Sequence, residues 1–335
     1  MHWPTLMIAG IAFLAAAAAT RFFIPVLKAM AVLDHPNDRS SHETATPRGA
    51  GLAIVAVVAS AWLALAIDGE TDELWRIAGL IAAAIVLTVI SWVDDRRGLP
   101  AIRRLVVQAV AVTAGLLALS EPGRTFQGLL PLPLDLALTA LLWLWFVNLT
   151  NFMDGIDGIT GVELGAIAAG MIVLAVLGSA GTLDVLGIYS AGLFGAVAGF
   201  LVWNWSPAKV FLGDSGSVPL GFLTGWLLLE LAAAGAWAAA LILPAYYLGD
   251  ATITLLRRIL RRERLTQAHR SHFYQQAAQR WQSHARVSLV ILALNAILIA
   301  LAAWSSIQPW WALVLATAST LAVFAVFRDR AGDKP

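Results

Sequence analysis

The sequence predicts an all-α, polytopic membrane protein with about eleven transmembrane helices. Of its 335 residues, 59% are hydrophobic and only 13% are charged, whereas about 25% of the residues of a soluble domain are charged. Apolar runs of about 17–22 residues recur along the chain, and a helix of ~20 residues crosses roughly 30 Å of hydrocarbon. Because lipid offers no hydrogen-bond partners to the backbone, each run is predicted to be a helix.

The runs can be justified in chain order. The first is longer than the apolar part of a typical cleaved signal peptide, and no soluble secreted domain follows it. The fourth is short, the fifth begins with Pro131 and Pro133, where a helix tolerates proline, and a tight hairpin near Ala234 separates the eighth from the ninth. Residues 1–327 are predicted to form one transmembrane domain, with a short cytoplasmic tail at 328–335. The predicted spans are 3–24, 49–67, 76–93, 102–119, 129–150, 160–178, 185–203, 217–233, 235–256, 287–304 and 309–327.

The orientation is predicted from the basic residues. Nearly every Lys and Arg falls in alternate connections, whereas the other connections hold only Arg76 and Arg124 among basic residues, against five acidic ones. By the positive-inside rule, the N-terminus is predicted to lie on the outer, periplasmic side and the C-terminus in the cytoplasm. The basic, cytoplasmic connections are 25–48, 94–101, 151–159, 204–216 and 257–286.

Asp, Asn, His and Arg residues gather in five short clusters at these connections. Even numbers of predicted spans separate the clusters, so all five face the same side of one membrane. Ionisable residues in and beside membrane spans indicate function, and their convergence predicts an enzyme active site on the cytoplasmic face. The clusters are 34–51, 92–98, 148–158, 203–217 and 268–275.

The cluster NFMDGIDG places Asn151, Asp154 and Asp157 three residues apart. On a helix this spacing keeps the three side chains on one face. Carboxylates so close raise one another's pKa unless a cation neutralises them, and hard oxygen ligands without Cys favour Mg²⁺ or Mn²⁺ over zinc. The alternative is that Asp and Gly merely end one helix and begin another.

The stretch FLGDSGS supplies a second group of polar residues. Asp214 is predicted to complete a metal site, and the backbone N–H groups around Ser215, at the start of a helix, are predicted to bind a phosphate. Lys209 and Asn204 stand just upstream. The alternative is an ordinary helix N-cap, a position that Ser and Asp favour.

Together with WVDDRRG and the PNDRSSH…TPRGAG loop, these motifs resemble the polyprenyl-phosphate sugar-1-phosphate transferases over residues 25–285. That family includes enzymes that start O-antigen and teichoic-acid synthesis and the phospho-MurNAc-pentapeptide transferase. The resemblance implies transfer of a sugar 1-phosphate from a UDP-sugar to undecaprenyl phosphate, with release of UMP. It also implies a Mg²⁺ (or Mn²⁺) ion on Asp214 and Asp157, with Asp154 and Asn151 ordering the site.

Asp94 and Asp95 are adjacent carboxylates at a helix end. The family resemblance implies a catalytic pair beside the lipid phosphate, positioning the acceptor or acting as a base. A base is dispensable, because a phosphate monoester has a second pKa near 6. The alternative is simple pairing with Arg96 and Arg97, or with the arginines at 103 and 104.

The connection 257–286 contains two different signals. The arginine run from Arg257 to Arg264 is interpreted as a topology determinant that also contacts anionic lipid. In AHRSHFYQ, His269, Arg270 and His272 resemble the His-containing loop of the family and are predicted to bind the diphosphate. The chain lacks the consecutive histidines of the peptidoglycan branch, which argues against a MurNAc-pentapeptide substrate.

The first connection is more ambiguous. His35, Asn37, Arg39, His42 and Arg48 could contact the lipid phosphate or the nucleotide. Arg39 and Arg48 are predicted to bind phosphate, against the alternative of ordinary positive-inside charge. Asp250 lies within a predicted span, and it either lines the active-site cleft or pairs with a neighbour.

The predicted partners are undecaprenyl phosphate, a UDP-sugar and membrane lipid, without nucleic acid, and the resemblance admits a homodimer. GlcNAc is the first candidate sugar, followed by a 6-deoxy relative such as QuiNAc or FucNAc, selected by loop 257–286. The competing hypothesis is a cation-coupled transporter or lipid-linked sugar flippase, which would carry its carboxylates near the bilayer midplane in interrupted helices of two related halves. An inactive scaffold would not explain five convergent polar clusters.

Overall fold

The computed structural model describes residues 3–34, 45–67, 71–178, 181–263 and 269–328. Within them the chain is almost entirely helical, which confirms the predicted all-α class. Two short strands, β1 (Leu33–Asp34) and β2 (Thr46–Pro47), pair antiparallel. The helices are α1 (Trp3–Ala29), α2 (Gly51–Ile67), α3 (Thr71–Arg97), α4 (Ala101–Gly115), α5 (Leu132–Met153), α6 (Ile159–Leu177), α7 (Thr182–Asn204), α8 (Asp214–Leu231), α9 (Trp237–Ile242), α10 (Ala245–Leu260), α11 (Phe273–Trp281), α12 (His284–Trp304) and α13 (Pro309–Arg328).

The polytopic membrane architecture is also confirmed. Nine helical stretches of the described residues are long and apolar enough to cross a membrane, and the 17-residue α2 is a shorter apolar helix. The exact number of eleven spans, the orientation and the division at residue 327 stay predictions.

The region after α8 differs from the predicted continuous span 235–256. The chain leaves α8 through a π-helical turn and bends at Gly235, whose φ of +93° favours glycine. This bend lies one residue from the predicted hairpin. Pro244, which has no N–H to continue a helix, then separates the six-residue α9 from α10. Periodicity alone does not reveal this break, because apolar residues flank Pro244 on both sides.

Helix α8 lies at the centre of the bundle and is buried at every residue from Ser215 to Leu231. It packs against α3 and α5, where Trp143 of α5 stacks on Phe222 with ring centroids 4.7 Å apart and donates its indole N–H to the Phe222 carbonyl. The polar end of the bundle, where α3 and α5 end and α8 begins, is thereby attached to a rigid core.

Candidate active site

Backbone pairing holds the first connection against the start of α8. The Phe211 N–H donates to the Pro47 carbonyl at 2.8 Å, and the Phe211 carbonyl accepts from Gly49 and Ala50. Beyond this pairing, α2 and α8 touch backbone to backbone, because a Cβ on Gly51 would lie 2.2 Å from the Cα of Gly216. These contacts bring Arg48 to the start of α8.

The side chain of Asp95, from α3, binds the N-terminus of α8. Its carboxylate accepts the backbone N–H groups of Asp214 at 3.2 Å and Ser215 at 3.1 Å, and it lies 3.0 Å from Nη2 of Arg48. The Asp95 side chain is 1% exposed. The N–H groups predicted to bind a phosphate are therefore already bound by a carboxylate, which corrects that prediction. Ser215 is fully buried and does not line the cavity described next.

Asp94 and Asp214 face a cavity of about 690 Å³ at the polar end, the acidic cavity. Arg104 joins the two carboxylates, because its Nη1 lies 2.9 Å from Oδ2 of Asp94 and 3.4 Å from Oδ2 of Asp214. Arg48 completes the group with Nη2 2.5 Å from Oδ1 of Asp214. Two predicted residues from different clusters, Asp94 and Asp214, thus share one arginine that sequence reasoning had treated only as a pairing alternative.

The acidic cavity has one polar wall and one apolar wall. Asn151, Gln108 and Asn148 lie on the polar side, where Asn148 donates to Gln108 at 2.9 Å and Asn151 donates to Ser217 at 2.9 Å. The apolar side includes Leu105 and Leu141, which are exposed on the outside of the bundle. The acidic cavity therefore continues into a groove on the lipid-facing surface.

The structure separates the three residues of NFMDGIDG. Helix α5 ends at Met153, Asp154 is its C-cap, and Gly158 with φ +78° precedes α6. Asn151, Asp154 and Asp157 therefore do not share one helix face, and the prediction from helical spacing was wrong because α5 ends at Met153, before Asp154 and Asp157. Asn151 alone lines the acidic cavity.

Asp154 does not line this cavity. Its Oδ1 accepts the Thr160 hydroxyl at 2.6 Å. Burial raises the pKa of Asp154 to about 7, against the opposing effects of the Thr160 hydrogen bond and Arg48. The carboxyl is thus poised between its two protonation states at neutral pH.

Asp157 belongs to a different network. Its Oδ2 accepts the Ala208 N–H at 3.1 Å and lies 3.4 Å from Nδ1 of His284. Asp157 does not line the acidic cavity, so its predicted pairing with Asp214 on a metal ion stays a prediction without support from the cavity geometry. Lys209 also lies elsewhere, with Nζ 5.1 Å from the Trp203 ring centroid, in a cavity shared with Arg21 and Lys28.

Asp250 organises the histidine segment. Its fully buried carboxylate accepts the N–H groups of Phe273 at 3.1 Å and Tyr274 at 3.2 Å, and lies 3.0 Å from Nδ1 of His272. Of the two alternatives for this acid, the structure shows pairing with neighbours. Its effect is to aim His272 into the acidic cavity, which the His272 ring lines together with His269.

His269 stacks on His272 with ring centroids 5.1 Å apart, and its Nδ1 lies 3.3 Å from the Ser271 N–H. Burial, with the neighbouring charges of His272 and Arg258, lowers the pKa of His269 to about 4. The imidazole is therefore neutral near pH 7. With Nδ1 accepting from Ser271, its Nε2 carries the proton and can donate a hydrogen bond.

Among the described residues, no arginine that was predicted to bind phosphate lines the acidic cavity. Arg48 and Arg270 do not line it, and Arg39 lies outside the described residues. Arg258 does line it and is only 4% exposed, with Nε 2.9 Å from Glu263. Sequence reasoning missed Arg258 because nothing in an arginine run distinguishes the residue that helical phase turns inward.

The donor set fits a hard cation. No group of three or more His, Asp and Glu side chains arranged for one metal ion occurs in the part of the chain that the structure describes. Mg²⁺, however, is commonly held by one or two carboxylates together with water and substrate phosphates. Asp94 and Asp214, facing one cavity, match that requirement.

Comparisons with known proteins identify the family of this chain. The model of glycosyl transferase family 4 matches residues 77–232. A protein of Bacillus subtilis (strain 168) named "Probable undecaprenyl-phosphate N-acetylglucosaminyl 1-phosphate transferase" is 28% identical over 310 residues, covering 88% of this chain and 83% of its own.

Two further relatives are named for related activities. A decaprenyl-phosphate N-acetylglucosaminephosphotransferase of Mycobacterium leprae is 31% identical over 300 residues, covering 77% of this chain and 72% of its own. A phospho-N-acetylmuramoyl-pentapeptide-transferase of Shouchella clausii is 32% identical over 243 residues, covering 66% and 73%. The stretch matched by the family model contains Asp94, Arg104, Asn151 and Asp214.

Proposed function

This chain belongs to glycosyl transferase family 4, and from that premise we propose that it transfers a sugar 1-phosphate from a UDP-sugar to a polyprenyl phosphate, releasing UMP. The observation that carries the proposal is the acidic cavity, in which carboxylates bridged by Arg104 adjoin an apolar groove on the lipid-facing surface. One end suits a phosphate, and the other suits a prenyl chain. The reported relatives are all named as transferases, so the transporter hypothesis gains no support.

We assign the lipid acceptor to both walls of the acidic cavity. Leu105 and Leu141 contact the prenyl chain, and the lipid phosphate lies against Arg104, whose position Asp94 holds. A phosphate oxygen of the acceptor attacks the β-phosphorus of the UDP-sugar. A new P–O bond forms while the bond from that phosphorus to the UMP oxygen breaks, and UMP leaves with the oxygen. Because the acceptor is largely dianionic at pH 7, Asp94 serves to position it rather than to remove a proton.

We assign the donor diphosphate to the side of the acidic cavity lined by the histidines. Neutral His269 donates from Nε2, Arg258 supplies positive charge, and His272 is held in place by Asp250. Asn151, fixed by Ser217, offers its amide to the same region. In phosphoryl transfer such positioning and charge compensation account for most of the catalysis.

A divalent cation, Mg²⁺ or Mn²⁺, belongs to the proposal. We assign it to Asp214 with Asp94, in place of the Asp157 of the sequence prediction, because Asp157 does not line the acidic cavity. Bound there, the ion would neutralise charge on the diphosphate and on the departing UMP. Arg104 bridges the two carboxylates and Arg48 pairs with Asp214, so the two arginines compensate the negative charge of this site before substrates arrive.

The proposed substrates are chosen by analogy with the relatives. Two of them are named for N-acetylglucosamine, so GlcNAc-1-phosphate is the first donor group to test, ahead of a 6-deoxy relative such as QuiNAc or FucNAc. Undecaprenyl phosphate is the proposed acceptor. The proposed location is the bacterial inner membrane, with the polar end facing the cytoplasm, where nucleotide sugars are made.

The test is UMP release by purified protein in detergent with undecaprenyl phosphate, Mg²⁺ and a panel of UDP-sugars. We expect release that requires lipid and cation, and that falls at least about 100-fold in Asp214→Asn. The matched control is Asp184→Asn, which removes an acid from the first turn of α7 and should keep full activity. UMP release that is indifferent to the lipid, or equal in Asp214→Asn and the parent, would contradict the proposal.

A further inference from the structure

A second cavity at the polar end is lined by arginines. It has a volume of about 760 Å³ and lies between the end of α10, α11 and the end of α13. Four arginines from these helices and Arg261, which follows α10, line it, and no Asp or Glu is among its lining residues. We call it the arginine cavity. Its arginines are Arg257, Arg258, Arg261, Arg280 and Arg328.

The charges in the arginine cavity repel one another. Partial burial, followed by the positive charges of Arg328 and Arg261, lowers the pKa of Arg257. Among the described residues, no carboxylate oxygen lies within 4.0 Å of Arg257, Arg261 or Arg328. The Arg257 guanidinium is instead held over the Phe273 ring, 4.8 Å from its centroid. An anion between these side chains would relieve the repulsion.

The surroundings of the arginine cavity are those of a membrane border. Val326 of α13 lines it and is 52% exposed. On the neighbouring face of α10, Leu256 and Leu260 are also exposed. An apolar helix surface that ends in clustered arginines fits a molecule with acyl chains and an anionic head.

We propose that the arginine cavity binds the phosphate-bearing headgroup of an anionic membrane phospholipid, with the acyl chains along the exposed faces of α10 and α13. One guanidinium group can bind two phosphate oxygens at once. Because a guanidinium is weakly hydrated, it loses little bound water on binding. Free phosphate shares the headgroup chemistry. The adjacent apolar surface favours the lipid, since only the lipid would bury Val326 and Leu260.

The headgroup would act on the acidic cavity through α11. Phe273, on which Arg257 lies, stacks on Phe324 of α13 at 4.4 Å, and its N–H binds Asp250, which also holds His272. Thr254 and Arg258 line both cavities. A bound headgroup that fixes α10, α11 and α13 together therefore fixes His272. This consequence for turnover rests on the proposed function, whereas the binding itself does not.

The test uses the full chain in a neutral detergent and native mass spectrometry. Phosphatidylglycerol and phosphatidylcholine are titrated separately. Inorganic phosphate is the third arm, and the effects of phosphate and of each lipid on the unfolding temperature are compared. We expect one tightly bound phosphatidylglycerol and no comparable binding by phosphatidylcholine. The double variant Arg257→Gln/Arg328→Gln should bind phosphatidylglycerol roughly 30-fold more weakly, because each removed arginine should weaken binding of an anionic headgroup by about fivefold.

The matched control is Arg21→Gln/Lys28→Gln, which removes two basic residues from the separate cavity beside Trp203 and should keep the tight lipid. Unchanged lipid binding in the arginine-cavity variant, or inorganic phosphate stabilising the protein as strongly as the lipid does, would overturn the proposal. Removal of repelling charges should not lower the unfolding temperature without lipid. If it does, Arg261→Gln is measured instead. Stimulation of UMP release by phosphatidylglycerol is followed separately, so that failure of the proposed function leaves the binding result intact.

Discussion

Adjacent residues have different tasks at the end of α3. Successive residues of a helix point about 100° apart, so Asp94 faces the acidic cavity while Asp95 points at the N-terminus of α8. The sequence shows a DD pair and implies one shared role. Only the tertiary position of α8 separates the two carboxylates, and it assigns substrate contact to one and structure to the other.

This division predicts opposite outcomes for the two positions. Asp95→Ala removes the acceptor of two helix N–H groups and the partner of Arg48, so we expect a loss of about 2 kcal/mol of stability. Asp94→Asn should lose less than about 1 kcal/mol, because the partly exposed Arg104 remains solvated, but turnover should fall roughly 100-fold. Unfolding temperature and UMP release measured on both variants check the prediction. Full turnover of Asp94→Asn across pH 5–8 would exclude a role in the reaction.

The pKa of Asp154 predicts a pH dependence of stability. Burial raises this pKa from the ordinary 3.8 to about 7, so between these values the folded protein holds a proton that the unfolded chain has released. The free energy of unfolding therefore falls as pH rises through about 4 to 7. In chelator, the parent should lose stability between pH 5 and pH 7.5 relative to Asp154→Asn, which cannot titrate. Parallel unfolding temperatures of the two proteins over that range would show that Asp154 does not hold the proton.

Which side chains carry the chemistry could be predicted at this scale, and which partners they have could not. Asp94, Asp214, Asn151, His269 and His272 were all named from the sequence and all line the acidic cavity. Other predictions required knowing which motifs meet in space, and the sequence does not contain that information. Asp157 and Lys209 stand in chemically similar motifs but lie in other networks. The roles of Arg104 and Arg258 emerge only from contacts across the bundle.

Among elements, the contact between α2 and α8 tolerates no side chain. A Cβ on Gly216 would lie 2.6 Å from the Cα of Gly51 and 2.4 Å from a methyl of Leu212. Gly216→Ala should therefore destabilise the protein by about 1–3 kcal/mol. Gly10→Ala in α1 is the matched control, since a Cβ there meets nothing within 4 Å, and it should be neutral or stabilising by up to ~1 kcal/mol. Equal unfolding temperatures for the two variants would contradict the packing argument.

Element boundaries were predictable wherever hydropathy changes sharply. Most predicted spans match single helices within a few residues. The exceptions arise where hydropathy is uniform or where a helix is amphipathic. Residues 235–249 hold no charged side chain, and only Gly235 and Pro244 mark the bends. Helix α11 lies in what was predicted as a loop, because its nine residues are too short and too polar to resemble a span.

For the whole molecule, the two ends of the bundle are chemically distinct. The polar end carries both cavities, while at the other end Arg76 contacts Glu230 at 3.4 Å and Ser120 donates its N–H to the same carboxylate. The asymmetry that motivated the predicted orientation is therefore a property of two opposite surfaces. Its direction across the membrane stays a prediction.

The absence of cysteine makes that orientation measurable. Arg97→Cys at the polar end and Glu121→Cys at the other end each place one thiol at an exposed position in a chain that has none. We expect a membrane-impermeant maleimide to label the variant at position 121 in intact cells, and the variant at position 97 only after permeabilisation. The reverse pattern would invert the predicted topology, and the unmodified chain serves as the unlabelled control.

The meeting of Gly51 and Gly216 also has a consequence for how such a chain can evolve. The two positions belong to motifs 165 residues apart in sequence (216 minus 51), yet each leaves no room for a side chain on the other. A larger residue at either position would push apart the segments that hold Arg48 against Asp214. Neither motif is then free to drift alone, and a lineage that alters one glycine must rebuild the opposite segment in the same step or lose the site.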